Sequence, residues 1–190
     1  MNVSEAVASR RSVRDFLPDP VPLETIREIL TKAQSAPMGE GMEYAIYPAD
    51  LEGRYEQQRR AVGQAMFDAL GIAREDGAGR VRQMMRNWDS FGAPVQIFTY
   101  CRTYMGPPQW SDMGMWLQTV MLLLREAGLD SCPQEIWAMY GRYMRELLGI
   151  SDDYIFFTGM AVGYRNPDAP VNAFTVPRVA IDEAIQFRGF

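Results

Sequence analysis

The 190-residue sequence contains no histidine and only two cysteines. Without histidine, the chain excludes Ser-His-Asp and Cys-His catalytic sites and metal sites that use imidazole ligands. Cys101 and Cys132 are too few for a disulfide framework and lack the spacing of a metal motif. We interpret both as buried apolar residues, which is the usual state of cysteines outside such motifs. An enzyme built from this chain must use carboxylates, arginines and backbone groups, or a cofactor that carries the reaction.

Long apolar segments are also missing. The longest uninterrupted run, residues 120–124, is followed by Arg125 and Glu126, so no segment has the length of a membrane-spanning helix. The N-terminus lacks the apolar stretch of a signal peptide, and we expect a cytoplasmic protein without a membrane partner. A net charge of -5 and a pI near 4.9 disfavour nonspecific binding to nucleic acid.

Apolar and aromatic residues are abundant, at 47% and 12% of the sequence, and 23% of the residues are charged. These values are typical of a globular protein with one sizeable core. We therefore expect a single domain over residues 1–190, with a proline-punctuated C-terminal arm from residue 166 onward.

Helices are predicted to outnumber strands. Apolar residues at helical spacing predict helices over 23–36, 55–70, 80–88, 112–127 and 136–148. Apolar, β-branched and aromatic runs predict strands over 94–100 and 154–164. Helix 112–127 is apolar on almost every side, which indicates burial in the core or against a partner subunit. The class is α+β, or α/β with few strands.

Positive charge is concentrated in one short segment of this acidic chain, residues 9–14. Three arginines and two serines occupy five of its six positions: Ser9, Arg10, Arg11, Ser12 and Arg14. Guanidinium groups and hydroxyls at that density suit a phosphate or another anion. The alternative is a solvated helix end beside acidic neighbours, which is what most charge runs are.

Eight sequence blocks, taken in order, resemble the nitroreductase family of FMN-dependent oxidoreductases, and in particular its nitrobenzoate-reductase-like branch. The blocks are SRRSVRDF at 9–16, PDPVP at 18–22, SAP at 35–37, GAPV at 92–95, MGPPQW at 105–110, GLDSCPQE at 128–135, GMAVGY at 159–164 and DAPVN at 168–172. Each block alone is weak, whereas their combination in this order and spacing is specific.

The resemblance implies an α+β fold with a central mixed sheet flanked by helices, in an intertwined homodimer with two FMN sites at its interface. It implies that Arg10, Arg11, Ser12, Arg14 and Arg178 hold the FMN phosphate and ribityl chain. Pro133, Gln134 and Glu135 would lie against the isoalloxazine ring. Further contacts to the ring would come from Arg86 and Asn87, and from Pro37, Met38 and Gly39 of the other subunit. Taken alone, Arg178 is equally a surface arginine and Glu135 a first-turn carboxylate of a helix.

The chain departs from the family pattern after Pro37. The family continues through a Ser-x-x-Asn-x-Gln-Pro-Trp motif into a strand and a helix, whereas here Gly39 leads almost directly into residues 40–44. The motif's asparagine, glutamine and tryptophan are absent. We therefore predict a missing segment near residues 39–42, either a true deletion or an omission from the sequence.

The resemblance implies reduction of nitroaromatics or quinones with NAD(P)H by a ping-pong mechanism, in which donor and acceptor use one pocket above the flavin. The substrate would be a small flat aromatic compound or a quinone, and the chemistry would belong to the cofactor rather than to a catalytic side chain. A related flavoenzyme that fragments flavin or removes halogens is an alternative. Loss of the motif after Pro37 would favour a second alternative, a non-catalytic FMN-binding protein.

Overall fold

The computed structural model describes residues 1–33, 51–105, 108–176 and 178–189. Their α-helices are α1 (Val3–Ser9), α2 (Leu23–Ala33), α3 (Gly53–Ala69), α4 (Gly77–Met85), α5 (Pro108–Glu126), α6 (Gly141–Leu148) and α7 (Ile181–Ala184). The strands are β1 (Val95–Arg102), β2 (Asp130–Gln134) and β3 (Tyr154–Gly163). Short 3-10 helices cover Ser90–Gly92, Glu135–Tyr140 and Pro170–Asn172. The predicted gap near residues 39–42 lies outside the described residues.

The described strands form one sheet in the order β1-β3-β2, with both pairings antiparallel. β3 lies in the centre because its continuous apolar run is buried on both faces, as its sequence predicts. A parallel bridge between Ser12 and Ser131 joins the segment after α1 to β2. The predicted α+β class is confirmed. The sheet is mixed only through that bridge within the described part of the chain.

β2 is not evident from its sequence. Asp130, Ser131 and Pro133 have low strand propensity, and the segment has no apolar run, so its sequence suggests only a connector. The strand forms because its residues pair with β3 from Asp130 opposite Gly163 to Gln134 opposite Gly159. Pro133 is tolerated because β2 lies at an edge of the described sheet.

Helix α5 packs against the sheet and supplies much of the main core. Its buried residues recur at intervals of three and four, as expected for one apolar face: Met113, Trp116, Leu117, Val120, Met121 and Leu124. Met115, on another face, is 47% exposed, so the described core covers only part of this apolar helix. Gly128, at φ +79°, closes the helix as predicted, and the Leu129 N–H donates to the Leu124 carbonyl at 2.8 Å.

Two predicted helices have different limits in the structure. α4 begins at Gly77 rather than near residue 80, because an Asp76 carboxylate oxygen accepts from the Gly79 N–H at 2.8 Å and caps the helix there. The helix predicted over 136–148 is an α-helix only from Gly141, after the 3-10 turn Glu135–Tyr140. A 3-10 turn aligns residues three apart, which lets Trp137 and Tyr140 both meet the ring of Trp88 edge to face.

Within the described ranges, no helix combines the length and the hydropathy required to cross a membrane. The same residues contain no group of three or more His, Cys, Asp or Glu side chains placed to hold a metal ion.

Candidate functional site

The arginine-rich segment begins where α1 ends. Asn2 and Glu5 form a capping box at the start of this helix, with the Asn2 side chain accepting from the Glu5 N–H at 2.9 Å. The backbone leaves the helix at Arg10 in an extended conformation. Val13 is fully buried, and its N–H donates to the Ser131 carbonyl at 3.0 Å. The segment is therefore held as an extended strip against β2.

This strip forms one wall of a cavity of about 390 Å³. The walls include all five residues that the sequence assigned to the phosphate and ribityl chain: Arg10, Arg11, Ser12, Arg14 and Arg178. Arg178 is far from the others in the sequence, so the fold brings it to them. Val62, Val171 and Phe174 add apolar surface to the same cavity.

The positive charge inside this cavity is not balanced by an acidic residue of the described lining. No Asp or Glu is among the described residues that line it. The pKa of Arg10 is lowered, first by partial burial and then by the positive charges of Arg178 and Arg11. Arginines this close repel one another, and a bound anion removes that repulsion. The cavity is thus suited to an anion such as a phosphate group.

Side chains at the edge of the cavity fix the backbone of the strip. The Arg14 N–H donates to the Asn172 side-chain oxygen at 2.9 Å. The Arg14 guanidinium donates to the Ser12 carbonyl at 3.1 Å and lies 5.8 Å from the centre of the Phe174 ring. Such a network limits the number of positions that the guanidinium can adopt.

Arg86 occupies a different place from the four arginines of the cavity. Its guanidinium donates to an Asp15 carboxylate oxygen at 2.6 Å, and the other carboxylate oxygen accepts from the Asn166 side chain at 2.8 Å. Arg86 is therefore held in a salt bridge with Asp15, the residue that follows the arginine-rich segment. The structure does not bring it to the arginine cavity, and its predicted contact with the ring stays a prediction.

The predicted ring-facing residues meet at the end of β2. Gln134 is buried, donates from its side chain to the Asn87 carbonyl at 2.8 Å, and accepts from the Trp137 indole N–H at 3.3 Å. Pro133 pairs opposite Met160, and Glu135 is exposed at the start of the 3-10 turn. Asn87, Gln134 and their neighbours thus form a second cluster beside the arginine cavity rather than inside it.

Cys132 lies between the two groups. Burial raises the pKa of its thiol to about 11, although the positive charges of Arg14 and Arg10 act in the opposite direction. The thiol is therefore within electrostatic reach of the arginine cavity and directly precedes the Pro133–Glu135 segment. Both cysteines are buried and neither is in a disulfide, which confirms their interpretation as buried residues.

Two features of the site are not evident from the sequence. The buried carboxylate of Asp130 pairs with Arg125 at 3.0 Å and with Arg165 at 2.7 Å, and both arginines also bond to Ser9. Asn172 falls in one of the family-like blocks, but no sequence signal assigns it a role. The positions predicted to approach the ring from a second subunit, Pro37, Met38 and Gly39, lie outside the described residues.

Comparisons with known proteins identify the family of this chain. The model of the nitroreductase family matches residues 7–164, which include the arginine strip and all three strands. The chain belongs to the nitroreductase family. Nitroreductase relatives therefore provide the appropriate reference for the cavity and for the cluster at the end of β2.

Three of these relatives cover nearly the whole chain. A 4-nitrobenzoate reductase of Pseudomonas putida is 30% identical over 97% of this chain and 94% of its own length. The crystal structure of an FMN and NADPH-dependent nitroreductase NfnB from Sphigopyxis sp. strain HMH matches with 45% identity and a TM-score of 0.95 over all of both chains. The FMN-dependent nitroreductase NfnB from Mycobacterium smegmatis, solved in complex with NADPH, matches with 25% identity and a TM-score of 0.86 over 99% of this chain and 100% of its own.

Proposed function

We propose that this chain is an FMN-dependent oxidoreductase that reduces nitroaromatic compounds with NAD(P)H. The observation that carries the proposal is the cavity in which Arg10, Arg11, Arg14 and Arg178 converge without an acidic residue among the described lining. Its charge fits a phosphate monoester, and the hydroxyl-bearing residues Ser12 and Thr175 in its lining fit the polyhydroxylated chain that connects the phosphate to a ring. Relatives described as FMN- and NADPH-dependent nitroreductases, or as a 4-nitrobenzoate reductase, support the same assignment.

The residues that would hold FMN divide into two groups. The arginines and Ser12 would bind the phosphate, and the backbone of Pro133, Gln134 and Glu135 would face the isoalloxazine ring. When bound, FMN supplies the redox chemistry, taking two electrons from NAD(P)H and delivering them to the acceptor. The protein's task is to bind, to orient and to place positive charge near the cofactor, which a chain without histidine can do.

We also propose an electron acceptor, an oligomeric state and a cellular location for this protein. Flat aromatic acceptors, quinones among them, would use the same pocket as the nicotinamide in a ping-pong sequence. A cytoplasmic homodimer folded as a single domain is consistent with two buried cysteines outside any disulfide and with exposed apolar side chains on α5 and near the C-terminus.

Anaerobic visible absorbance tests the proposal. The purified protein is reconstituted with FMN and separated from free flavin, and its spectrum is recorded before and after addition of NADPH or NADH. We expect the flavin bands to bleach and then to return when a nitrobenzoate is added. Bound flavin that never bleaches would indicate a non-catalytic FMN-binding protein. Bleaching without reoxidation by nitroarenes or quinones would indicate a related flavoenzyme, and failure to bind FMN would contradict the proposal altogether.

A further inference from the structure

The side chain of Asn172 uses its hydrogen-bonding groups on three different backbone positions. Its oxygen accepts from the Arg14 N–H at 2.9 Å. Its amide nitrogen donates to the Asp15 carbonyl and to the Asn166 carbonyl, both at 2.9 Å. One amide side chain thus satisfies one donor and two acceptors, which a hydroxyl or a carboxylate cannot do in the same way.

These bonds connect the two segments that build the arginine cavity. Arg14 and Asp15 belong to the strip after α1, whereas Asn166 and Asn172 belong to the segment that leads toward Arg178. Asn172 itself lines the cavity. It is the last residue of the 3-10 turn Pro170–Asn172, which is anchored by the buried side chain of Val171. The backbone that carries the Asn172 side chain is therefore held in place.

The cavity needs such a connection because its own charges push it apart. Arg10 and Arg178 line the same cavity from the two segments, and the pKa of Arg10 is lowered by burial and then by the positive charge of Arg178. Asn172 holds the segments together through backbone groups only, so it leaves the guanidinium groups available to an anion. We infer that Asn172 is a positioning residue that sets the arginine cavity for the phosphate of FMN. This inference rests on the proposed function.

The test separates phosphate recognition from general stability by comparing FMN with riboflavin, which has the same ring and no phosphate. Dissociation constants for both are measured by quenching of flavin fluorescence, with the full-length wild-type chain and Asn172→Ala. We expect the variant to bind FMN about tenfold more weakly, the loss expected for a buried hydrogen-bond network, and riboflavin nearly unchanged. A merely structural role would weaken both ligands together.

A matched control removes a buried hydrogen bond elsewhere in the molecule. The Thr99 hydroxyl donates to the Thr158 carbonyl at 3.1 Å inside the sheet, away from the arginine cavity. Thr99→Val should lower thermal stability by an amount similar to that of Asn172→Ala while leaving the ratio of FMN to riboflavin affinity unchanged. If Asn172→Ala does not fold, Asn172→Ser, which retains a polar group, is expected to show the same selective loss.

The outcomes distinguish this inference from the proposal on which it rests. If wild type prefers FMN to riboflavin and the Asn172 variants keep that preference, the positioning role is wrong and the proposed function stands. If wild type binds riboflavin as tightly as FMN, the cavity is not a phosphate site and both are wrong. A selective loss of FMN affinity supports both.

Discussion

At the scale of single residues, the four arginines of the cavity have opposite effects on binding and on folding. Partial burial, and then the close positive charges of Arg178 and Arg11, lower the pKa of Arg10, and both effects work against the folded state without a ligand. The same charges attract a phosphate, and each charge-assisted hydrogen bond to it adds affinity. The arginines are therefore expected to destabilise the flavin-free protein and to stabilise its complex with a phosphate.

Replacing Arg10 separates these two effects. Arg10→Gln should weaken FMN binding about 10- to 100-fold, the value of one hydrogen bond to a charged group. The melting temperature of the flavin-free protein should stay the same or rise, because one repulsive charge is gone. Arg74→Gln, at an exposed loop position, is the control and should change neither quantity. Equal FMN affinity in Arg10→Gln and wild type would remove Arg10 from the site.

Cys132 gives the molecule a defined response to alkaline pH. Its pKa is about 11 in the folded protein and 9.0 as the ordinary value, so the unfolded chain loses this proton first as pH rises. The stability that the neutral thiol provides is complete below pH 9 and is lost progressively up to about pH 11. We expect this thiol to lower the free energy of unfolding by about 1 kcal/mol between pH 8 and pH 10.

Urea unfolding of wild type and Cys132→Ala at several pH values measures that contribution. The variant starts from a lower stability because the side chain is buried, but its decline with pH should be shallower than that of wild type. Parallel pH profiles for the two proteins would show that the thiol titrates normally in the folded state, against the burial seen at this position.

The sequence predicts only some of the residues of the arginine site. The strip at 9–14 is visible as a charge cluster, but Arg178 joins it only through the family resemblance, because no spacing links positions so far apart. Asn172 and Asp130 lie in family-like blocks, but no local pattern assigns either a role, because their partners come from distant segments. Hydrogen bonds between remote backbone groups cannot be read from local composition.

At the scale of elements, segments with a strong apolar pattern predict their own helix or strand. Elements that depend on contacts with other segments are not predicted. The apolar run of β3 and the helical spacing in α5 predict both elements because burial requires those patterns. β2 was missed because its pairing with β3, rather than its own residues, makes it a strand. The 3-10 turn Glu135–Tyr140 was missed because it depends on the contacts of Trp137 and Tyr140 with Trp88.

The contact between β3 and that 3-10 turn requires a glycine. A Cβ atom at Gly159 would lie 2.5 Å from Cδ1 of Trp137 and 2.6 Å from Nε2 of Gln96. Gly159→Ala should therefore lower the free energy of unfolding by about 1–3 kcal/mol, as overpacking does, and should change the tryptophan fluorescence.

Gly63 provides the matched control for that substitution. A Cβ atom at this position in α3 would meet nothing within 4 Å. Gly63→Ala should leave stability unchanged or raise it by up to about 1 kcal/mol, because alanine favours a helix more than glycine does. Chemical denaturation measures the free energy of unfolding of both variants. Equal changes in the two variants would contradict the close packing at Gly159.

At the scale of the whole molecule, the C-terminal segment presents apolar side chains that the described chain does not cover. Ile181, Ile185 and Phe187 are 56%, 48% and 62% exposed. A segment of this kind is expected to bury its apolar residues against another subunit. This agrees with the homodimer that we propose, in which the C-terminal arm lies across the partner.

A charge introduced into that segment tests the assembly. The double variant Ile181→Asp and Phe187→Asp should shift the protein toward the monomer, because burial of two carboxylates in an apolar interface is costly. Gln186→Asp, an exposed polar position in the same segment, should leave the mass unchanged. Analytical ultracentrifugation gives the mass directly. A wild-type monomer, or a double variant that still dimerises, would contradict this role of the arm.

The central claim is that the arginine cavity binds the phosphate of FMN, and a crystal structure of the FMN complex tests it most directly. We expect the phosphorus atom inside the cavity, with the phosphate oxygens within hydrogen-bonding distance of Arg10, Arg14 and Arg178. A phosphate located elsewhere, with these guanidinium groups left in contact only with solvent, would contradict the account.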